Sequence, residues 1–401
     1  MMMRKSFLLG LSMMCWPMLV VHAQAPLTET KLMNYVQRNS HLVELKQAQQ
    51  RMADIQLSQA GRWADPRLEL THESIDRADQ TERETSVWIK QDLSPWGSRE
   101  LKKQLTAQQN QQQKLTLNAK QNGLRLQLRQ LFYRALVSQQ QLDVLNRYHA
   151  QLSEMANHIE QRWRQGDVSK LDLLRIQNEL QTIETEQNAL TQILKSAQKS
   201  LVSWLERPIN QLDGELLPKP SAQPNFDLQK NPQLQQITLD LTQSAIAQQL
   251  AEKQRYWPDF SVGVGYKQSN EVGSSGGLKV GLEMSLPLFS QKKNAVQLAQ
   301  TQRQFSEVEK AWLRKSMQVK LNQHLNQLKQ YTNQATRWRS LIETQNRPMV
   351  AMTQASYRAG ELTVSELLDV YRSELNHHKN YLAAAHQARE HHIQIQNLLG
   401  E

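Results

Sequence analysis

Glycine and proline are scarce in this chain, 14 and 12 among 401 residues, whereas glutamine occurs 55 times. So few turn-formers exclude a fold of many short elements and predict a few long ones, mostly helices. Apolar residues make up 39% and mean hydropathy is −0.66, which excludes a large globular core around a buried active site and favours elongated helices with much wet surface. Charged residues, at 21%, are too few for a disordered chain. The single cysteine is Cys15, and thiol catalysis is excluded once the leader described below is removed. No apolar stretch of 18 residues follows that leader, so no helix is expected to span a membrane. The P-loop, Gly-x-Ser-x-Gly, His-Glu-x-x-His and dinucleotide fingerprints are all missing, and the chain reads as a non-enzyme without a cofactor.

What is present begins with an export signal. Arg4 and Lys5 precede an apolar run from Phe7 to Val21, followed by Val21-His22-Ala23, which predicts a signal peptide over 1–23. Cys15 lies within the apolar run behind Met13-Met14, so no lipid anchor is expected. The net charge of +10 comes from Lys and Arg scattered through Gln-rich stretches, without the clusters or interleaved aromatics of a nucleic-acid binder.

The chain matches itself at a shift of 194 residues. Trp63-Ala64-Asp65 meets Trp257-Pro258-Asp259, and Trp163-Arg164-Gln165-Gly166-Asp167 meets Tyr357-Arg358-Ala359-Gly360-Glu361. Such self-similarity marks a duplication, with a first repeat over 24–207, a Pro-rich linker over 208–224 and a second repeat over 225–401. Each half reads helix, strand, turn, strand, very long helix, Gly, helix. A 4-3 apolar spacing runs from Leu124 through Leu128, Leu131, Ala135, Leu145, Leu152 and Ile159 to Trp163, and resumes from Leu173 to Trp204. That period implies antiparallel coiled-coil packing, with Gly166 and Gly360 at the turns. Ser98 to Gln165 would measure about 102 Å as a helix. The flanking helices, Thr28 to Arg62 and Asp167 to Leu205, sum to nearly the same length and are expected to stack end to end beside it. Asn122-Gly123 and Pro348 are expected to kink the long helices without ending them.

Two segments per half alternate apolar with small or polar residues, as in Val262-Gly-Val264-Gly-Tyr266 and Leu278-Lys-Val280-Gly-Leu282. This pattern fits either a half-buried sheet in water or outer-membrane barrel strands. Four strands cannot close a barrel, so a spanning form needs several chains.

Tyr357-Arg358-Ala359-Gly360-Glu361-Leu362-Thr363-Val364-Ser365-Glu366-Leu367-Leu368-Asp369 resembles the periplasmic-tip signature of the TolC-like outer-membrane efflux proteins. Asn39-Ser40, Asn231-Pro232 and the two Trp motifs are similar as well, and the likeness runs in order through both halves. The resemblance implies a mainly α fold with a small β part: a homotrimer whose transmembrane β-barrel continues into a periplasmic α-helical barrel. It implies residence in the outer membrane of a Gram-negative bacterium and contact with outer-membrane lipid. It also implies partnership with a periplasmic adaptor and an inner-membrane pump, and a role as passive exit duct of a tripartite efflux system. The ending at Gly400-Glu401 looks most like the subgroup paired with heavy-metal resistance-nodulation-division pumps. A type I protein-secretion exit is the near alternative, and a periplasmic coiled-coil scaffold or adaptor is the alternative of another class.

At the tip, trimer symmetry would turn Glu366 and Asp369 into acidic rings, with Asp172 as the repeat-mate of Glu366. A solvated helix start, where acids suit the dipole, is the competing reading. Gly166, Gly360, Trp163, Tyr357, Arg164 and Arg358 are expected at the tip turns and the adaptor-docking surface, the two arginines pairing either with tip carboxylates or as ordinary surface bridges. His377-His378, His386 and His391-His392 lack chelating spacing and read as surface histidines, so no metal site is expected.

Overall fold

The computed structural model describes residues 25–39, 41–76, 81–94, 97–205, 208–219, 227–256, 259–270, 273–284 and 291–400. The leader, Ser40, Trp257-Pro258 and the end of the linker lie outside these. The elements follow the order α1 (Glu29–Asn39), α2 (His41–Ala60), β1 (Arg67–Asp76), β2 (Thr81–Leu93), α3 (Ser98–Gln165), α4 (Lys170–Leu205), α5 (Pro232–Tyr256), β3 (Phe260–Ser269), β4 (Ser275–Met284), α6 (Gln291–Leu341), α7 (Arg347–Arg358) and α8 (Val364–Leu399). A π-turn, Ile342–Asn346, joins α6 to α7.

The fold is thus mainly helical with one small antiparallel sheet. Helices α2 and α4 both lie along α3, and α5 and α8 along α6. The core follows the 4-3 stripe: Leu128, Ala135, Leu145, Leu152 and Ile159 of α3 are buried, together with Ile176, Ile183 and Leu201 of α4. Trp163, the last member of that stripe, is exposed. No described helix is long and apolar enough to cross a membrane.

Leu32 of α1 enters the main core while α2 buries no residue. Helix α3 is continuous across Gly123, which does not end it. Pro348 acts one turn earlier than its own position: lacking an N–H, it is accommodated by the preceding π-turn, and the helix resumes at once.

The linker, as far as it is described, is a strap. Leu212 bridges Leu27 in parallel. The Gln139 side chain donates to the Leu212 carbonyl at 2.9 Å and accepts from its N–H at 3.0 Å. Arg389 donates to the Leu216 and Glu215 carbonyls at 2.8 and 2.6 Å. Leu212 and Leu216 are buried.

The sheet has the order β1-β2-β3-β4, antiparallel throughout. Its register aligns Leu68, Ile89, Val264 and Val280 in one row and Leu70, Val87, Tyr266 and Leu278 in the next. These eight side chains share one face, and that face is bare: Leu68 is 71%, Val280 73% and Leu278 77% exposed. The opposite face carries Glu69, Trp88, Gly265 and Lys279 in one row and Arg67, Lys90, Gly263 and Gly281 in another. Trp88 lies over the glycines. A Cβ on Gly265 would sit 2.4 Å from the Val87 carbonyl oxygen and 2.9 Å from the indole, and one on Gly263 or Gly281 would meet the ring at 3.2 Å.

Candidate functional site

The sheet stands at one end of the long helices and two helical turns at the other. Both turns end their first helix in the same way. Gly166 (φ 89°) donates to the Trp163 carbonyl and Asp167 to that of Arg162, at 3.0 and 2.9 Å. Gly360 (φ 80°) donates to Tyr357 and Glu361 to Ser356, again at 3.0 and 2.9 Å. This double bond is a Schellman closure, which needs a left-handed residue. No atom stands within 4 Å of a Cβ at either glycine, so backbone conformation alone demands them.

The helices that leave the turns start alike too. Ser169 Oγ accepts from the Asp172 N–H at 3.2 Å and donates to its carboxylate at 2.7 Å. Thr363 Oγ1 accepts from the Glu366 N–H at 3.3 Å, while the Thr363 N–H and hydroxyl both donate to Glu366 Oε2 at 2.8 Å. The repeat-mates Asp172 and Glu366 therefore both serve as helix starters, the latter in a full capping box. The Thr363 backbone hydrogen bond, and then its hydroxyl, hold the Glu366 carboxyl below the usual range. Asp369 stands apart from the cap, 75% exposed, with Arg372 3.8 Å away.

Behind the turns, α4 and α8 are joined by a ladder that sequence reasoning missed. Arg175, the repeat-mate of Asp369, donates to Ser365 Oγ at 2.8 Å. Arg372 donates twice to Glu179 Oε2, at 3.0 and 2.7 Å. Lys379 reaches Glu186 at 2.6 Å. Glu179 is buried and also accepts from the Tyr148 hydroxyl at 3.4 Å. The signal was a carboxylate inside the stripe Leu173, Ile176, Glu179, Ile183, where burial requires a partner.

The other expected tip residues separate. Trp163 is exposed, whereas Tyr357 is 2% exposed with the Arg162 guanidinium 5.7 Å from its ring centroid. Tyr357 therefore shapes the turn from inside and offers no docking surface. Arg164 pairs with Glu160 on its own helix, and Arg358 reaches Glu154 of α3 at 3.4 Å. Within the chain neither holds Asp172, Glu366 or Asp369.

On the sheet's polar face, Lys90 links Glu69 (2.7 Å) and Glu283 (3.4 Å), Arg67 binds Asp92 at 2.6 Å and Lys267 binds Glu84 at 2.6 Å. Lys279 lies 4.7 Å from the Trp88 ring centroid. These ion pairs lie on the face opposite the two apolar rows, which carry no charge of their own. Among the described residues no group of three or more His, Cys, Asp or Glu could hold a metal ion.

Comparison with known proteins places this arrangement. Residues 225–401 match the family model described as outer membrane efflux protein. A search of characterised proteins gave no match. Among solved structures, CusC, described in terms of folding and transmembrane channel formation, is similar with a TM-score of 0.75 and 14% identity, over 93% of this chain and 92% of its own. The outer membrane protein VceC of Vibrio cholerae gives 0.74 and 10%, over 93% and 96%. The open state of the MtrE outer membrane channel of Neisseria gonorrhoeae gives 0.72 and 12%, over 93% and 88%. At these identities the likeness establishes the fold.

Proposed function

Because residues 225–401 match the family model described as outer membrane efflux protein, we propose that the whole chain is the outer-membrane exit duct of a tripartite efflux system. It works as a homotrimer with a periplasmic adaptor and an inner-membrane pump. The observation that carries this reading is the sheet: its two apolar rows are bare, and the ion pairs around Lys90 and the glycines beneath Trp88 are on the other face. A sheet of a water-soluble protein buries the apolar face. The reverse suits lipid outside and water inside. β1 and β4 are open edges of ten residues each. Unpaired backbone is costly in hydrocarbon, so edges of three chains pairing β4 to β1 would close twelve strands.

The helices point the same way. Leu298, Phe305, Val308, Trp312 and Val319 form an exposed stripe on α6 at spacings of three, four and seven. Such a stripe is a coiled-coil seam lacking its partner helix, and a neighbouring copy supplies one. At the far end, three copies of Asp369 form an acidic ring that conducting cations meet, with Glu366 adding charge while it caps α8.

The test is fractionation with assembly. The chain should appear as a heat-modifiable trimer in the outer-membrane fraction, and Val280→Arg or Trp312→Lys should leave it monomeric. Recovery in the soluble periplasmic fraction would support the scaffold reading instead. Growth of a deletion strain on drugs and metal salts, beside an assay of protein export, then separates an efflux exit from a secretion exit.

A further inference from the structure

Helices α6 and α8 meet at a pair of imidazoles that the duct reading does not use. His391 of α8 faces His324 of α6 with the two Nδ1 atoms 3.1 Å apart. The ring planes are tilted by 38°. Tyr331, one heptad beyond His324 on α6, stacks on His391 with an interplanar angle of 16° and centroids 5.6 Å apart. The stack holds the His391 ring in the orientation that directs Nδ1 toward its partner. Neither imidazole belongs to the tip, to the α4–α8 ladder or to the sheet.

We propose that His324 and His391 form a two-imidazole site for a borderline divalent cation of the Zn²⁺ class, tying α6 to α8. Zn–N bonds run at about 2.0–2.1 Å. Two such bonds to atoms 3.1 Å apart enclose an angle of about 100° at the metal, between the right angle of an octahedral site and the tetrahedral value. A linear two-coordinate ion would need the nitrogens about 4 Å apart at the same bond length, so the spacing selects against it. The remaining positions go to water, because no third His, Cys, Asp or Glu joins the pair among the described residues.

The protonation state suits the role. Burial, then the Lys320 ammonium, lowers the His324 pKa, and burial, then His324, lowers that of His391. Both rings are thus neutral at pH 7 and bind without releasing a proton. In the empty pair one Nδ1–H donates to the other Nδ1. On metal binding that proton resides on Nε2, so each ring keeps one proton and turns a lone pair to the ion. Lys320 repels a cation, and two ligands hold less firmly than four, so binding is reversible and weaker than at a structural zinc site.

The proposal does not depend on transport and is tested on the full chain in detergent. Equilibrium dialysis against Zn²⁺ at pH 7.5 should show one saturable ion per chain. His324→Gln and His391→Gln should each lower affinity tenfold or more, while His386→Gln, elsewhere on α8, should not. Thermal melts of each variant report folding separately. X-ray absorption of the Zn²⁺-loaded wild-type chain should show two imidazole nitrogens at about 2.0–2.1 Å, a readout that needs no variant. Absence of saturable binding, unchanged binding in folded His324→Gln and His391→Gln, or a spectrum without imidazole scattering would each overturn the site and leave a plain hydrogen bond between two histidines.

Discussion

Arg372 reaches from α8 to the buried carboxylate of Glu179 on α4 with two hydrogen bonds of 3.0 and 2.7 Å to one oxygen. The partners differ in burial: Arg372 is half exposed and Glu179 only 10%. The two truncations should therefore be unequal. Glu179→Ala lets the guanidinium return to water and costs about 1–2 kcal/mol. Arg372→Ala strands a carboxylate in the core and costs about 3 kcal/mol. Thermal unfolding of the purified proteins checks the order, and an equal or reversed order would contradict the burial argument.

The tip carboxylates divide by role. Asp369→Ala should weaken block of single-channel current by divalent cations with little effect on melting temperature. Glu366→Ala should lower the melting temperature because it removes the cap of α8. Glu366→Gln keeps an N3 acceptor for Thr363 while losing the charge, so it should melt near wild type and still weaken the block. A block unchanged in Asp369→Ala would remove the ring.

Gly265 is required by what crosses it. Gly265→Ala sets a methyl 2.4 Å from the Val87 carbonyl oxygen and 2.9 Å from the indole of Trp88, and should reduce the yield of heat-modifiable oligomer. Adding Trp88→Ala relieves the ring contact but not the carbonyl one, so rescue should be partial. Full rescue, or no defect at all, would show that the close approach is not limiting.

Stability should fall with acid from about pH 6.5. Burial lowers the pKa of His378, His386 and His392, with Arg147, Arg134 and Arg389 respectively as the next cause. A group with a lowered folded pKa stays neutral when folded but charges when unfolded, so the unfolded chain binds more protons as pH drops below the unfolded value. Glu374, 4.0 Å from His378, and Glu390, 3.8 Å from His386, act oppositely. Burial raises both, and their penalty relaxes as pH falls toward 4.5. Melting temperatures between pH 8 and 5 should decline most steeply just below 6.5, and His378→Gln with His386→Gln should flatten that decline.

The long elements were legible because their signals are periodic. The 4-3 stripe of α3 and the alternation in β3 and β4 each recur often enough to fix type and length. Features that depend on a single distant partner were not. Nothing in the spacing of Pro348 distinguishes a kink from a π-turn. The glycines of β3 explain themselves only when Trp88, about 175 residues earlier, is laid across them. His324 and His391 lie on different helices, so a search for chelating spacing within α8 could not join them. The starters Ser169-x-x-Asp172 and Thr363-x-x-Glu366 were readable as capping signals, and they show that an acid placed at a helix start serves the backbone first.

The alternation of β3 also has a mechanical meaning. Val262, Val264 and Tyr266 fill one face of β3, while Gly263, Gly265 and, on β4, Gly281 add no side chain to the other, where the Trp88 ring lies flat against the backbone. A layer that is thick on one side and thin on the other relaxes by bending toward the thin side, as a bimetallic strip does on heating. The radius of the wall is then written in the sizes of its side chains: enlarging the small face, rather than charging it, is the change that would force the sheet flat.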